Sequence, residues 1–165
     1  MHTNTGRSHH QHGASRRWFI GAAGVGLAAV AVPLLFRGRE RAAVRSALAT
    51  AGDDAEMVVY KSPTCECCGK WIEHVRNAGF PVRVVEQADV TPVKERLHVP
   101  TSVYSCHTAT VGDYVVEGHV PATDIARLLK ERSPVAGVAA PGMPARAPGM
   151  DLSGPSYDVV AFGHD

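Results

Sequence analysis

The sequence carries almost no net charge, and it has only four cysteines in 165 residues. The net charge of +1 hides an asymmetry. Residues 1–49 carry seven Lys or Arg against one acidic residue, whereas residues 50–165 carry ten against fifteen. An acidic body gives no electrostatic reason to bind nucleic acid, so we exclude that class of partner. This length and an apolar content of 45% predict one domain with appendages.

The four cysteines are confined to two places in the chain. Cys65, Cys67 and Cys68 fall within four consecutive residues, and Cys106 stands far downstream with His107 directly after it. Three sulfur ligands within one helical turn are too concentrated to be ordinary core residues. They indicate either thiol redox chemistry or a site for a soft metal ion.

The N-terminal segment is typical of a targeting signal rather than of a folded domain. Residues 15–20 read Ser-Arg-Arg-Trp-Phe-Ile and resemble a twin-arginine export signal, and they run into an apolar stretch over residues 18–36. Ala47-Leu48-Ala49 offers a cleavage site of the Ala-x-Ala type. We therefore predict that residues 1–49 form an export signal and that the protein is periplasmic.

A retained membrane anchor is the alternative for the same segment. The apolar stretch is about as long as a bilayer span, which needs roughly 17–25 residues. Four arginines stand between it and the Ala-x-Ala sequence, which is unusual for a cleaved signal: Arg37, Arg39, Arg41 and Arg45. An anchored protein would face the periplasm and contact the inner membrane only through this segment. A buried core helix fits the paired arginines and the terminal position less well.

The folded body is predicted to span residues 57–132 after a linker over 50–56. Ser62 is the expected N-cap of a cysteine-bearing helix, with Pro63 at its first position. The helix should end at Gly79. The elements then follow in the order β-α-β-α-β-β-α over residues 57–60, 63–78, 81–86, 91–98, 102–105, 114–119 and 121–132.

This order predicts an α/β protein of the thioredoxin-like kind. A strand, a cysteine-bearing helix and then a parallel strand form the start of that fold. Val99-Pro100-Thr101 should open the third strand. By analogy with thioredoxin-like proteins, we expect Pro100 to be cis and to face the cysteines.

The segment 133–165 is predicted to be an extension that folds back near the cysteines. It is rich in Pro and Gly and is not expected to form a regular helix. The tripeptide Pro-Gly-Met occurs twice in it, at residues 141–143 and 148–150. An apolar run over residues 157–162 predicts an edge strand.

Four blocks of sequence together resemble one family of small exported bacterial proteins. They are residues 60–71 around the clustered cysteines, 105–109 with Cys106 and His107, 116–122 with His119, and 141–144 with Met143. The family is domain-of-unknown-function family 411, which includes the CopG-type proteins of copper resistance. The resemblance covers residues 57–157 and implies a thioredoxin-like fold with a cysteine-bridged copper site. It also implies copper binding and allows copper redox chemistry.

The chemistry of the cysteines supports copper binding independently of the family resemblance. Thiolates select Cu(I), although they also suit zinc, which is the weaker alternative. Cys65 and Cys68 have Cys-x-x-Cys spacing, so they can close a disulfide or chelate one ion. We expect the side chains of Cys67 and Cys68 to diverge on the helix. Bridging thiolates in a multinuclear Cu(I) site would then use Cys67 better than a single ion. A purely structural disulfide leaves the clustering unexplained.

The remaining candidate ligands come from outside the cysteine helix. Successive side chains alternate on a strand, so we expect only one of Cys106 and His107 to face the site, and we favour Cys106. The other candidates are His107, His119 and Met143, with Met150 behind them.

Two classes of function follow. The first is an exported copper-binding protein that sequesters or redox-cycles Cu(I) and Cu(II), in exchange with a periplasmic copper-handling or electron-transfer protein. The second is a periplasmic thiol-disulfide oxidoreductase, an enzyme in which Cys65 attacks as the thiolate and Cys68 resolves the mixed disulfide. A metallochaperone is a weaker third interpretation.

Overall fold

The computed structural model describes residues 25–52 and 56–163. The arginine pair Arg16-Arg17 and the start of the apolar stretch lie outside these residues. The helices are α1 (Val25–Ala51), α2 (Glu66–Ala78), α3 (Thr91–Arg96) and α4 (Ala122–Glu131), with a 3-10 turn at Thr101–Val103. The strands are β1 (Met57–Lys61), β2 (Val82–Glu86), β3 (His107–Val111), β4 (Tyr114–Gly118), β5 (Gly137–Ala140) and β6 (Val160–Phe162).

The six strands form one mixed sheet in the order β2-β1-β3-β4-β5-β6. β1 pairs with β2 in parallel, as the strand-helix-strand pattern predicts, and antiparallel with β3. β3 and β4 form an antiparallel hairpin, β4 and β5 are parallel, and β5 and β6 are antiparallel. The α/β class predicted from the sequence is confirmed.

Apolar side chains are buried on both faces of the sheet. Along β4, Val116 belongs to the larger core and Val115 to the smaller one, because side chains alternate along a strand. The larger core receives Trp71 and Val75 from α2, and further residues from α1 and α4. Trp71 is fully buried, and its indole Nε1–H donates to the Val120 carbonyl at 2.8 Å. These contacts hold α2 against the end of β4.

The C-terminal half of α1 is part of this packing. Val44 and Ala47 are fully buried in the larger core, and the Arg41 Nε–H donates to the Asn77 carbonyl on α2. Residues 50 and 51, placed in a linker by the sequence, are the last two residues of α1. Among the residues that the structure describes, no helix is both long and apolar enough to span a bilayer.

Three local predictions around the cysteines are wrong. α2 begins at Glu66 with Cys65 as its N-cap, because Ser62 and Pro63 form a preceding turn. In that turn the Ser62 hydroxyl accepts from the Thr64 N–H, and the Ser62 carbonyl accepts from the Cys65 N–H. The predicted third strand over 102–105 is also displaced. Residues 101–103 form a 3-10 turn, and β3 starts at His107. Within the described residues every peptide bond is trans, including the one before Pro100.

The C-terminal segment contains more regular structure than its composition predicts. β5 (Gly137–Ala140) is buried along its whole length and lies between β4 and β6. A strand buried on both faces shows no polar alternation, so its four small residues give no strand signal. The predicted edge strand is present as β6, which covers the last part of the apolar run.

Candidate metal centre

One side of the candidate site is formed by the start of α2. We call Cys65, Cys67 and Cys68 the helix wall. Cys65 and Cys68 are joined by a disulfide with their Cα atoms 5.3 Å apart, and the Cys67 Sγ lies 3.6 Å from the Cys65 Sγ. Cys68 is buried, whereas Cys65 and Cys67 are half-buried. The N-terminal end of a helix favours negative charge, so this position favours thiolates when the disulfide is open.

The opposite side is formed by the ends of two strands. We call Cys106, His107 and His119 the sheet wall. Cys106 directly precedes β3, His107 is the first residue of β3, and His119 follows β4. The Cys106 Sγ lies 3.1 Å from the His119 Nε2 and 3.4 Å from the His107 Nδ1. Both imidazoles are fully buried.

The two walls meet at Cys106. Its Sγ lies 3.5 Å from the Cys68 Sγ, and the four cysteine sulfurs all lie within 4.8 Å of one another. The Cys106 sulfur and one nitrogen from each of His107 and His119 satisfy the same limit. Cys106 therefore belongs both to a four-sulfur group and to a sulfur-imidazole group.

Two expectations about side-chain direction are wrong. The Cys67 and Cys68 sulfurs do not diverge, because the first turn of α2 and the approaching Cys106 bring both to one place. Cys106 and His107 both face the site, because Cys106 lies before the strand and the alternation rule does not relate the two side chains.

Burial determines the charges of the sheet wall. Burial lowers the pKa of His107 well below its usual value, and the neighbouring His119 lowers it further. Burial also lowers the pKa of His119. Both rings are therefore neutral near pH 7, which is the form in which imidazole binds a metal. Burial and the neighbouring Cys67 raise the pKa of the Cys106 thiol to about 12.

A buried ion pair supports the sheet wall. The Lys94 Nζ on α3 lies 2.5 Å from the Glu117 Oε1 on β4, and both side chains are almost completely buried. The same oxygen accepts the Ser105 N–H at 2.6 Å, and the Thr108 hydroxyl donates to Oε2 at 2.7 Å. Glu117 thus binds Ser105 and Thr108, which directly flank Cys106 and His107 in the chain.

The sequence interpretation missed this pair, although a signal for it was present. Glu117 stands in the apolar run of β4, where a charged residue needs a buried partner. The sequence pattern also does not reveal the role of Gly118. A Cβ there would lie 2.4 Å from the Ser105 Oγ, so glycine is needed where the Ser105-Cys106 loop crosses the end of β4.

Met143 has a less enclosed position than the other candidates. Its side chain is 43% exposed, whereas His107 and His119 are fully buried. Met150 is half-buried next to Gly149, which lies against the backbone of α2. Thioether ligation by Met143 stays a prediction.

The donors that the structure brings together suit a soft metal ion. Sulfur and neutral imidazole are preferred by Cu(I) and Zn(II), whereas magnesium and calcium prefer oxygen. The Nδ1 of His107 faces the Cys106 Sγ, and its buried Nε2 has no hydrogen-bond partner among the described residues. The fold and the site together define a small α/β protein with a candidate soft-metal centre.

Comparisons with known proteins agree with this class. Residues 103–150 match the sequence model of the family described as "Protein of unknown function, DUF411". The solved structure "Copper resistance protein copG- Form 1" is similar at 42% identity and a TM-score of 0.61, over 66% of this chain and 88% of that one. "Copper resistance protein copG- Form 2" is 44% identical, with a TM-score of 0.59, over 64% of this chain and 86% of that one. No curated protein sequence matches the chain.

The identity and the coverage of these solved structures establish the family. The chain belongs to the DUF411/CopG-type family of copper-resistance proteins. The resemblance found in the four sequence blocks is confirmed.

Proposed function

We propose that the protein is an exported copper-binding protein that sequesters Cu(I) or cycles it with Cu(II) through its cysteine cluster and thereby contributes to copper resistance. The observation that carries the proposal is the convergence of four cysteine sulfurs within 4.8 Å of one another. Thiolates select Cu(I) among biological metals, and zinc is the competing ion for such a donor set. The family's CopG structures, named for copper resistance, favour copper.

The reduced, dithiolate form of Cys65 and Cys68 supplies the electrons of the proposed cycle. When the Cys65–Cys68 bond is open, two thiolates can each give one electron to one Cu(II) ion. The products are the disulfide and two Cu(I) ions, so charge and electrons balance. Cys67 and Cys106 remain free when the disulfide is closed. A dithiol or other electron-transfer protein must then reduce the disulfide before the next cycle.

The closeness of the sulfurs supports more than one Cu(I) ion per reduced chain. A thiolate has several lone pairs and can bridge two Cu(I) ions, so four sulfurs can hold a compact cluster. The test is an anaerobic titration of the reduced protein with Cu(I), using a chelating dye as competitor. We expect more than one ion for wild type and fewer for Cys67→Ser. A single ion in both proteins would contradict the multinuclear model and leave sequestration by one site.

A thiol-disulfide oxidoreductase is the second candidate, and the Cys65–Cys68 disulfide at the start of α2 favours it. In that reaction Cys65 attacks a substrate disulfide, Cys68 displaces the mixed disulfide, and the substrate leaves with two thiols. The assay is insulin reduction by the metal-free wild type. Rapid turnover there, with weak Cu(I) binding, would favour the enzyme.

Export is the part of the proposal that depends on the N-terminal sequence. Replacing Arg16 and Arg17 with Lys should retain the protein in the cytoplasm, because twin-arginine signals depend on that pair. Cell fractionation with an epitope at the C-terminus measures the effect. Normal delivery of the double variant to the periplasm would contradict a twin-arginine route.

A further inference from the structure

The two Pro-Gly-Met repeats have different surroundings. Gly142 and Gly149 both have positive φ, at 69° and 83°. A Cβ at Gly142 would meet no atom within 4 Å, whereas a Cβ at Gly149 would lie 2.6 Å from the Trp71 N and 2.9 Å from the Cys67 carbonyl oxygen. The second repeat thus packs against the backbone of α2 next to the helix-wall cysteines, whereas Gly142 of the first repeat has open space around it.

The residues before Gly149 are folded into turns that keep it in place. The Ala147 N–H donates to the Pro144 carbonyl at 2.9 Å, and the Met150 N–H donates to the Ala147 carbonyl at 3.0 Å. Ala147 and Gly149 are both buried. The segment 144–150 is therefore a short packed unit. We call it the strap.

The strap also reaches the sheet wall. The Pro148 carbonyl oxygen lies 2.7 Å from the Nδ1 of His119. A carbonyl oxygen only accepts hydrogen bonds, so Nδ1 must carry the ring proton. The other nitrogen, Nε2, then keeps its lone pair and faces the Cys106 Sγ at 3.1 Å.

We propose that the strap is a positioning element that fixes the Nδ1–H tautomer of His119 and so presents its Nε2 lone pair to the metal centre. Metal-bound histidines commonly donate their second N–H to a backbone carbonyl or a carboxylate, which fixes the ring and raises its basicity. Here the carbonyl comes from the C-terminal segment rather than from the domain that carries the ligands. Because Gly149 packs closely on α2, it fixes the position of the preceding Pro148 carbonyl relative to the His119 ring. This inference rests on the proposed binding of copper for its effect on affinity, but its effect on the tautomer does not.

The two glycines allow a matched test. Gly149→Ala and Gly142→Ala place the same methyl group on residues of the same tripeptide, both with positive φ. Only Gly149→Ala forces the strap away from α2. We expect Gly149→Ala to weaken Cu(I) binding by about 10–100-fold, the usual cost of losing such a partner. Gly142→Ala should stay within about threefold of wild type, well below that cost. Equal affinities for the two variants, with both folded by circular dichroism, would overturn the proposal.

A second measurement reads the tautomer directly in metal-free protein. The ¹⁵N shifts of the His119 ring should place the proton on Nδ1 in wild type and in Gly142→Ala. In Gly149→Ala the proton should redistribute toward Nε2, which a merely structural loss of stability would not produce. A wild-type proton on Nε2 would overturn the proposal even if Gly149→Ala failed to fold. If wild type bound no Cu(I), the proposed function would fail, and the tautomer comparison would still decide the role of the strap.

Discussion

The two walls of the candidate site are built in opposite ways. The helix wall comes from three cysteines within four consecutive residues at the start of α2, two of them half-buried, and two of its three sulfurs are joined in a disulfide. The sheet wall comes from residues 106–119, is largely buried, and is held by the Lys94–Glu117 pair and by the Pro148 carbonyl. One wall can change its covalent state, and the other is fixed by the fold.

This difference suggests a division of labour under the proposed function. Closing the disulfide lowers the number of free sulfurs in the helix wall from three to one, and opening it restores three. In the disulfide form that the structure describes, the sheet wall presents one sulfur and two neutral imidazoles. A rigid set of ligands facing a redox-active set suits an ion whose oxidation state changes.

The largest effect should come from removing the sulfur that the two walls share. We expect Cys106→Ala to weaken Cu(I) binding by more than about 100-fold, because losing a ligand costs more than losing its supporting group. Competition with a Cu(I)-chelating dye measures the affinity, and growth in copper measures tolerance. Insulin reduction by the same variant should be unchanged, since Cys65 and Cys68 are intact.

Cys67→Ser is the matched comparison, because it removes one sulfur from the helix wall alone and is itself expected to bind fewer Cu(I) ions than wild type. If Cys106→Ala kept the wild-type affinity for Cu(I), the conclusion that the two walls together form one metal site would be wrong. Robust insulin reduction by metal-free wild type, together with that result, would favour the oxidoreductase.

The second effect tests the rigidity of the sheet wall. Lys94→Met leaves the Glu117 carboxylate buried without its cation, which should lower the free energy of unfolding by about 3–5 kcal/mol. Arg83→Met removes an exposed pair with Glu56 and should cost about 0–1 kcal/mol. Urea unfolding of the metal-free variants at neutral pH measures both.

The pH dependence of the Lys94→Met variant checks the cause. Burial already raises the pKa of Glu117, although Lys94 lowers it. Without Lys94 the folded state should bind a proton more readily than the unfolded state, so the loss of stability should shrink as the pH falls toward 5. A loss that is small, or that grows on acidification, would show that the pair does not fix the wall.

The last prediction concerns the thiols of the oxidised protein, and it leaves both walls chemically intact until the thiols are labelled. Because burial and the neighbouring Cys67 raise the pKa of Cys106 to about 12, its thiol is almost entirely protonated at pH 8. Alkylation by iodoacetamide should therefore mark Cys67 first, and the rate at Cys106 should rise about tenfold per pH unit from 8 to 10. Mass spectrometry of the two peptides follows the reaction. Rapid labelling of Cys106 at pH 8, independent of pH, would contradict its buried, protonated state.

The clustering of the helix-wall cysteines could be predicted from sequence because it is local, whereas the start of α2 and the directions of Cys67 and Cys68 could not. The spacing of Cys65, Cys67 and Cys68 indicates a functional site. The apolar spacing of Ile125, Leu128 and Leu129 predicts a helix whose two ends each lie within one residue of the ends of α4. The parallel pairing of β1 and β2 follows from the strand-helix-strand order. Family resemblance added the connection to copper resistance.

The sheet wall was less readable because it depends on register. Thr108 and Glu117 are opposed only through the pairing of β3 and β4, and Lys94 reaches them from a distant helix. The start of β3 could not be placed because the 3-10 turn after Pro100 occupies the predicted strand. That shift of a few residues is also why both Cys106 and His107 face the site, whereas alternation along a strand predicts that only one of them does.

The burial of Val44 and Ala47 affects how the protein must be produced. A recombinant protein that begins at residue 57 would contain every candidate cysteine and histidine ligand. It would lack the fully buried Val44 and Ala47 and the rest of α1. The Thr50 carbonyl that accepts from Arg132 would be lost as well. Cleavage at Ala47-Leu48-Ala49 would remove the same core residues after export. A recombinant chain that keeps the described residues of the larger core must therefore begin at or before Val44.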